Sequence, residues 1–244
     1  MKKLFLPILL FTSIMCGCTH VPPGESAHDP YESTNRKVFA FNDTLDKYFL
    51  IPAAKGYKTI APNRVRMCVS NFFDNIFYPN TIVNCFLQGK MKQGAADTGR
   101  FLINSTVGLF GFFDPATELG LQKHHEDLGQ TLAVWGFGEG PFLTLPGMGP
   151  KTTRETPDII TGNYLTPLSY LETGYYLPLK MLEIISWRAN MLEATEMMNK
   201  SSIDRYLSLR EFYRQNRIKM VHDGNPPKPD IFLDEEELFE EDDL

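Results

Sequence analysis

The sequence predicts an all-α fold in which helices are separated by turns rich in glycine and proline. Apolar residues recur at helical spacing in several segments, and none alternates regularly enough to predict a β-sandwich or barrel. Of the 244 residues, 43% are hydrophobic, so the chain can form one domain with its own core. No segment after the N-terminal region has the roughly 18 apolar residues that predict a membrane-spanning helix.

The first predicted helix begins at Ser33, a residue type favoured at the N-cap, and runs to about Tyr48. One of its faces is apolar and carries Val38, Phe41, Leu45 and Phe49. A different face carries Asn35, Asn42 and Asp46, with Phe39 between them. Pro52 is expected to end the helix, because proline interrupts helical hydrogen bonding.

Two short helices rich in phenylalanine are predicted next, from 63 to 75 and from 79 to 88, with a turn at Tyr78-Pro79. The segment from 101 to 113 then has no charged residue. It is too short to span a bilayer and suits either a core helix or a helix in the lipid interface. Gly108 and Gly111 disfavour a regular helix there and predict a bend or hinge.

The second half of the chain begins with loops. The glycine-rich stretch 132–150 is expected to be a loop with room for a short hairpin, and 157–176 is rich in turn residues. An amphipathic helix is predicted from Pro178 to Met198, because proline suits the first helical position. A last helix is predicted from 202 to about 222, ending before Gly224. Its outward face is expected to carry Arg205, Arg210, Arg214 and Arg217.

The first 17 residues have the features of a lipoprotein signal peptide. Two lysines precede an apolar run of about 11 residues, which is too short to span a bilayer. Met15-Cys16-Gly17 then precedes Cys18, which is the expected lipidation site. The alternative is an ordinary secretory signal. Thr19 replaces the aspartate that would favour the inner membrane, and residues 18–28 form a predicted flexible linker.

The net charge of −6 comes from the C-terminal tail. Residues 230–244 include nine acidic residues and no basic residue, whereas the body before them is nearly neutral. The absence of a basic stripe argues against nucleic-acid binding. Residues 225–244 are expected to form a disordered acidic tail.

Motifs for catalysis or for cofactor binding are lacking. There is no Gly-x-Ser-x-Gly motif, and the glycines of 136–140 have the wrong spacing for a dinucleotide fingerprint. Pro150 removes an amide that a phosphate-binding loop would need. The segment His124–Asp127 is expected to be a solvated polar turn rather than a metal site. The sequence therefore predicts neither an enzyme nor a cofactor or metal site.

Cys68 and Cys85 remain in the mature chain besides Cys18. In an oxidising compartment they can form a disulfide, which would stabilise the fold by about 3 kcal/mol. Two separate buried thiols fit the sequence equally well, and both alternatives stay open.

A series of long motifs runs through the chain from Asp29 to His222. In order, these are residues 29–36, Phe41-Asn42, 70–72, Asn84, 87–89, Arg100-Phe101, 104–108, 111–114, 136–141, 145–150 and Arg154. They resemble the motifs of the MlaA (VacJ) family of outer-membrane phospholipid-transport lipoproteins, and the resemblance covers nearly the whole mature body.

The resemblance implies a ring of helices embedded in the inner leaflet of the outer membrane, with an amphipathic channel through it. Phospholipid that has strayed to the outer leaflet would pass through the channel to a periplasmic lipid carrier like MlaC, beside trimeric porins of the OmpC/OmpF type. The candidate lipid path on this chain consists of Asn35, Phe39, Phe41, Asn42 and Asp46, with Gly108 and Gly111 as the candidate hinge. The alternative is an adaptor lipoprotein that binds porins and transports nothing.

Overall fold

The computed structural model describes residues 29–227 and is mostly helical, which confirms the predicted fold class. The predicted signal peptide, the expected lipidation site Cys18, the predicted linker and the chain from 228 onward lie outside the described residues. The helices are α1 Glu32–Leu45, α2 Ile51–Ile60, α3 Asn63–Leu87, α4 Met91–Thr106, α5 Pro115–Glu118, α6 Leu128–Val134, α7 Asp158–Leu165, α8 Thr173–Ser201 and α9 Arg205–Val221. A π-helical segment, Asp46–Leu50, joins α1 to α2, and a 3₁₀ turn, Pro167–Tyr170, follows α7.

The predicted hairpin is confirmed within the glycine-rich stretch. Strand β1, Phe142–Leu145, pairs antiparallel with β2, Gly149–Thr152, and Phe142 lies opposite Thr152. The end of α9 is also confirmed, because Gly224 follows it with a φ of +88°, a conformation that favours glycine.

The first helix differs from its prediction at both ends. Its N-cap is Tyr31 rather than Ser33, and the helical path does not end at Pro52. Pro52 lies in the first turn of α2, where a missing N–H is tolerated. The π-helical segment before it widens the turn, so that the N–H of Ile51 bonds to the carbonyl of Asp46. The chain therefore stays helical through the proline.

The predicted break at Tyr78-Pro79 is wrong, because α3 is a single helix of 25 residues with Pro79 inside it. Tyr78 is buried, and its hydroxyl donates to Asp97 of α4 at 2.7 Å. An interior proline costs a helix about 3 kcal/mol, and tertiary packing along α3 outweighs that cost.

The C-terminal helices also differ from their predictions. Pro178 lies inside α8, which begins five residues earlier at Thr173, and α7 replaces part of the predicted turn region. Arg217 does not point outward: its side chain is buried and forms ion pairs with Asp127 and Glu155. A buried guanidinium requires such partners, and both lie far away in the sequence.

The interior of the described part of the chain is mainly polar. Among residues 29–227, nine hydrophobic side chains are buried, against nineteen polar or charged ones, so hydrogen bonds and ion pairs fill much of the interior. Many large apolar side chains lie on the exterior instead, including Phe49, Ile60 and Phe110. Between residues 29 and 227, no helix is both long and apolar enough to cross a membrane.

Candidate functional site

Asn35 fixes the hairpin to helix α1. Its side chain is buried, and its Nδ2 donates to the Phe142 carbonyl at 3.0 Å and to Asp29 Oδ1 at 2.8 Å. Its Oδ1 accepts the backbone N–H of Thr144 at 2.8 Å. The amide thus satisfies one edge of β1 in the way that a neighbouring strand would.

Asn42 repeats this contact two helical turns later. Its Nδ2 donates to the Leu145 carbonyl at 2.9 Å, and its Oδ1 accepts the N–H of Gly147 at 2.8 Å. Since residues seven apart lie on the same face of a helix, Asn35 and Asn42 hold the hairpin along α1.

Asp46 continues this face and binds α8. Its carboxylate accepts two hydrogen bonds from the buried guanidinium of Arg188, at 2.6 Å to Nε and 2.8 Å to Nη2. A bidentate pair of this kind fixes orientation as well as distance. The junction between α1 and α2 is therefore tied to α8.

The two phenylalanines of the candidate path have different surroundings. Phe39 packs edge-on against Tyr206 of α9, with ring centroids 5.8 Å apart. Phe41 is 54% exposed. Of the five predicted residues, four contact the protein scaffold and Phe41 faces outward.

The helix α4 is followed by a series of turns over residues 107–113, where the two glycines predict a bend. A side chain at Gly108 would lie 2.5 Å from the carbonyl oxygens of Asn104 and Phe113. Gly111 has a φ of +91°, and its Cβ would lie 2.3 Å from that of Asn75. Only glycine fits these two close approaches, so the bend is built into the sequence.

The segment 107–113, which we call the apolar loop, exposes its side chains beside this bend. Val107, Leu109 and Phe110 are largely exposed, and Phe112 stacks on Phe72 of α3 with centroids 4.9 Å apart. The loop therefore has a fixed base and an apolar outer surface.

The segment His124–Asp127 is not a solvated turn, because Glu126 and Asp127 are buried. Burial raises the pKa of Asp127, but hydrogen bonds and charge from Arg217 outweigh burial and lower the pKa to about 2. His124 lies with its Nδ1 2.9 Å from the fully buried Asp97. Local sequence gives no signal for these contacts, since each partner is distant in the chain. In residues 29–227, no group of three or more His, Cys, Asp or Glu side chains is placed to hold a metal ion.

The two cysteines are separate thiols, so the disulfide alternative is wrong. Both lie on α3, 17 residues apart, which is about 25 Å along a helix at its usual rise. A disulfide needs Cα atoms within about 7 Å. Burial, together with a hydrogen bond to Asp97, raises the pKa of Cys85 to about 12, so this thiol stays neutral.

The family model described as MlaA lipoprotein matches residues 27–220. The chain belongs to the MlaA lipoprotein family. This membership confirms the resemblance seen in the ordered motifs. Among MlaA relatives, the "intermembrane phospholipid transport system lipoprotein MlaA" of Escherichia coli K12 is 32% identical, over 94% of this chain and 92% of that protein.

An uncharacterized protein of Rickettsia bellii is 37% identical, over 87% of this chain and 86% of that protein. The fold also matches a solved structure described as the structural basis for maintenance of bacterial outer membrane lipid asymmetry. That chain is 32% identical, with a TM-score of 0.70, over 81% of this chain and 99% of its own. The helical architecture is thus shared with a solved structure from work on outer-membrane lipid asymmetry.

Proposed function

We propose that this protein removes mislocalised phospholipid from the outer leaflet of the outer membrane and hands it to a periplasmic carrier, which maintains lipid asymmetry. Membership of the MlaA family supports this proposal, since the relative in Escherichia coli is named for intermembrane phospholipid transport. The observation that carries it is the distribution of polarity among residues 29–227, with a mainly polar interior and many large apolar side chains exposed on the exterior.

That distribution suits a body embedded in one leaflet. Exposed apolar surface in water is unfavourable by roughly 25 cal/mol per Å², so a surface of this kind needs a cover. Acyl chains would cover the apolar loop, where Phe110 is 73% exposed. Acyl chains on Cys18 would deliver the protein to the membrane, and the body would hold itself in the inner leaflet.

The phospholipid path in this proposal runs along α1. Phe41 faces outward and would contact lipid tails, while Asn35, Asn42 and Asp46 position the hairpin and α8 as walls of an amphipathic channel. Gly108 and Gly111 are our candidate hinge beside the channel mouth. Transport needs no covalent step, because lipid leaves the outer leaflet down its gradient and an MlaC-like carrier removes it. Trimeric porins of the OmpC/OmpF type are the proposed neighbours.

A strain lacking the gene tests this proposal. We expect phospholipid in its outer leaflet to rise, which increases lipid A acylation and detergent sensitivity, and we expect the wild-type gene to restore both. The adaptor alternative predicts altered porin assembly with an unchanged outer leaflet. An unchanged outer leaflet would contradict the transport proposal.

A further inference from the structure

A polar cavity of about 70 Å³ lies between α3, α4 and the chain after α5. A single water needs about 10–15 Å³ of such space, so the cavity takes a group of about five non-hydrogen atoms, the size of a phosphate. The cavity lining includes the polar side chains of Asn71, Asp74, Asn75, Arg100, Asn104 and Lys123. None of them belongs to the α1 face described above.

The cavity wall holds hydrogen-bond donors without partners. Arg100 is only 4% exposed, and three of its N–H groups bind Thr117, the Leu121 carbonyl and Asp114. A guanidinium has five N–H groups, so two remain. Asn104 donates one side-chain amide N–H to Asp114 and keeps another, and the side chain of Asn71 forms no hydrogen bond within residues 29–227. Such a set of donors suits the oxygens of a phosphate group.

The charges of the wall balance. Asp114 accepts hydrogen bonds from Arg100, Asn104 and Thr117, so it neutralises the buried guanidinium and has little capacity left. Lys123 and Asp74 form an ion pair at 2.6 Å, and both are about half exposed. An exposed pair contributes little stability and opens readily. A neutral wall with separable charges matches a zwitterion, whose phosphate would bind Lys123 and whose ammonium would bind Asp74.

The cavity also adjoins the apolar loop. Asn75 Nδ2 donates to the Phe110 carbonyl at 3.5 Å, and the N–H of Gly111 donates to the Asn104 carbonyl at 2.8 Å. The apolar loop, with the exposed side chains of Leu109 and Phe110, therefore lies directly beside the polar wall of the cavity. A polar cavity beside an apolar surface fits an amphipathic ligand with one small polar end.

We infer that this cavity binds the zwitterionic phosphoamine headgroup of a phospholipid, with its acyl chains along the apolar loop. The inference rests on the proposed function, since it names the headgroup class that the transporter would hold. It adds a binding site between α3 and α4 that is separate from the path along α1.

Binding to the purified full-length lipoprotein in uncharged detergent tests the inference. Short-chain phosphatidylethanolamine and phosphatidylglycerol with the same acyl chains are compared by calorimetry. We expect the zwitterionic lipid to bind more tightly than phosphatidylglycerol. We expect Asp74→Asn to weaken the binding of phosphatidylethanolamine about ten-fold and to leave the binding of phosphatidylglycerol unchanged. Lys123→Gln should weaken both lipids. Lys58→Gln, which removes an ion pair with the exposed Glu193 outside the cavity lining, is the matched control and should change the binding of neither lipid.

Asn71→Leu is a further variant, and it removes no charge. The larger side chain narrows the cavity, so the binding of both lipids should weaken. Unchanged lipid binding in Asp74→Asn, Lys123→Gln and Asn71→Leu would overturn the cavity site and leave the transport proposal standing. Competition by inorganic phosphate or glycerophosphoethanolamine as strong as that of the lipid would also overturn it, because the acyl chains would then play no part. The transport proposal has its own test, because only an unchanged outer leaflet in the gene-deletion strain would contradict it.

Discussion

Asn35 accepts the backbone N–H of Thr144 through its side-chain oxygen at 2.8 Å, across 109 positions of the chain. Asn42 makes the equivalent contact with Gly147. A hairpin of two short strands is marginal by itself, so its position depends on these amides. The face of α1 that sequence periodicity separates from the apolar face is thus the attachment site of the hairpin.

Replacing Asn35 should loosen the fold at this attachment. Asn35→Ala leaves the buried Thr144 N–H and Phe142 carbonyl without their partner, which should lower the free energy of unfolding by about 1–3 kcal/mol. Urea unfolding measures this loss. Asn163→Ala is the matched control, because Asn163 is exposed and bonds only one local carbonyl. Equal losses in both variants would refute the special role of Asn35.

Deleting Phe41 and Asn42 should alter the outer leaflet. The deletion rotates the rest of α1 by about 200° relative to Asn35, because each helical residue turns the chain by about 100°. The contact with Gly147 is lost and Asp46 no longer faces Arg188. We expect changed outer-leaflet phospholipid, read as lipid A acylation and detergent sensitivity. Phe41→Ala keeps the helical register and separates a side-chain effect from rotation, and a deletion strain that behaves as wild type would count against the role of this face.

The features that local sequence determines could be predicted. Helical periodicity gave the fold class and the Asn35–Asn42 face, and glycine chemistry gave the bend at Gly108 and Gly111. The predictions made from three prolines were wrong. Each proline was expected to end or begin a helix, but the chain is helical on both sides of Pro52, Pro79 and Pro178. Packing between distant segments determines whether a helix continues through a proline, and the periodicity of the sequence carries no information about that packing.

The buried ion pairs could not be predicted for the same reason. Arg217 and Asp127 are 90 positions apart, and each has a polar neighbourhood in sequence that indicates exposure. The cavity beside the apolar loop likewise combines residues of three segments, and no motif marks them as a group.

Acid should destabilise the protein through Asp127. Its pKa falls from 3.8 to about 2 in the fold, so its stabilisation is present above about pH 4 and is lost as pH falls to about 2. The shift corresponds to about 2 kcal/mol. Urea unfolding at pH 5 and pH 2.5 should show a smaller pH dependence in Asp127→Asn than in the wild type. An identical pH dependence in the two proteins would mean that the Arg217 pair does not exist.

The two thiols should differ in reactivity. Cys85 is buried with a pKa of about 12, so it should resist maleimide at pH 8, whereas the partly exposed Cys68 should react. Peptide mass spectrometry of the labelled protein measures both, and labelling in urea is the control in which both react. A peptide that links Cys68 to Cys85 without reducing agent would contradict the structure of α3.

We propose that the body of this protein lies in a lipid leaflet through its own apolar surface. This placement is tested by the fluorescence of Phe110→Trp in a chain that also carries Trp135→Phe and Trp187→Phe, reconstituted in vesicles with brominated lipids. His222→Trp, at an exposed position after α9, is the control. We predict strong quenching at 110 and little at 222, also in Cys18→Ala, which lacks the proposed lipidation site. Fluorescence at 110 that brominated lipids do not quench, as for a residue in water, would show that the body does not lie in lipid.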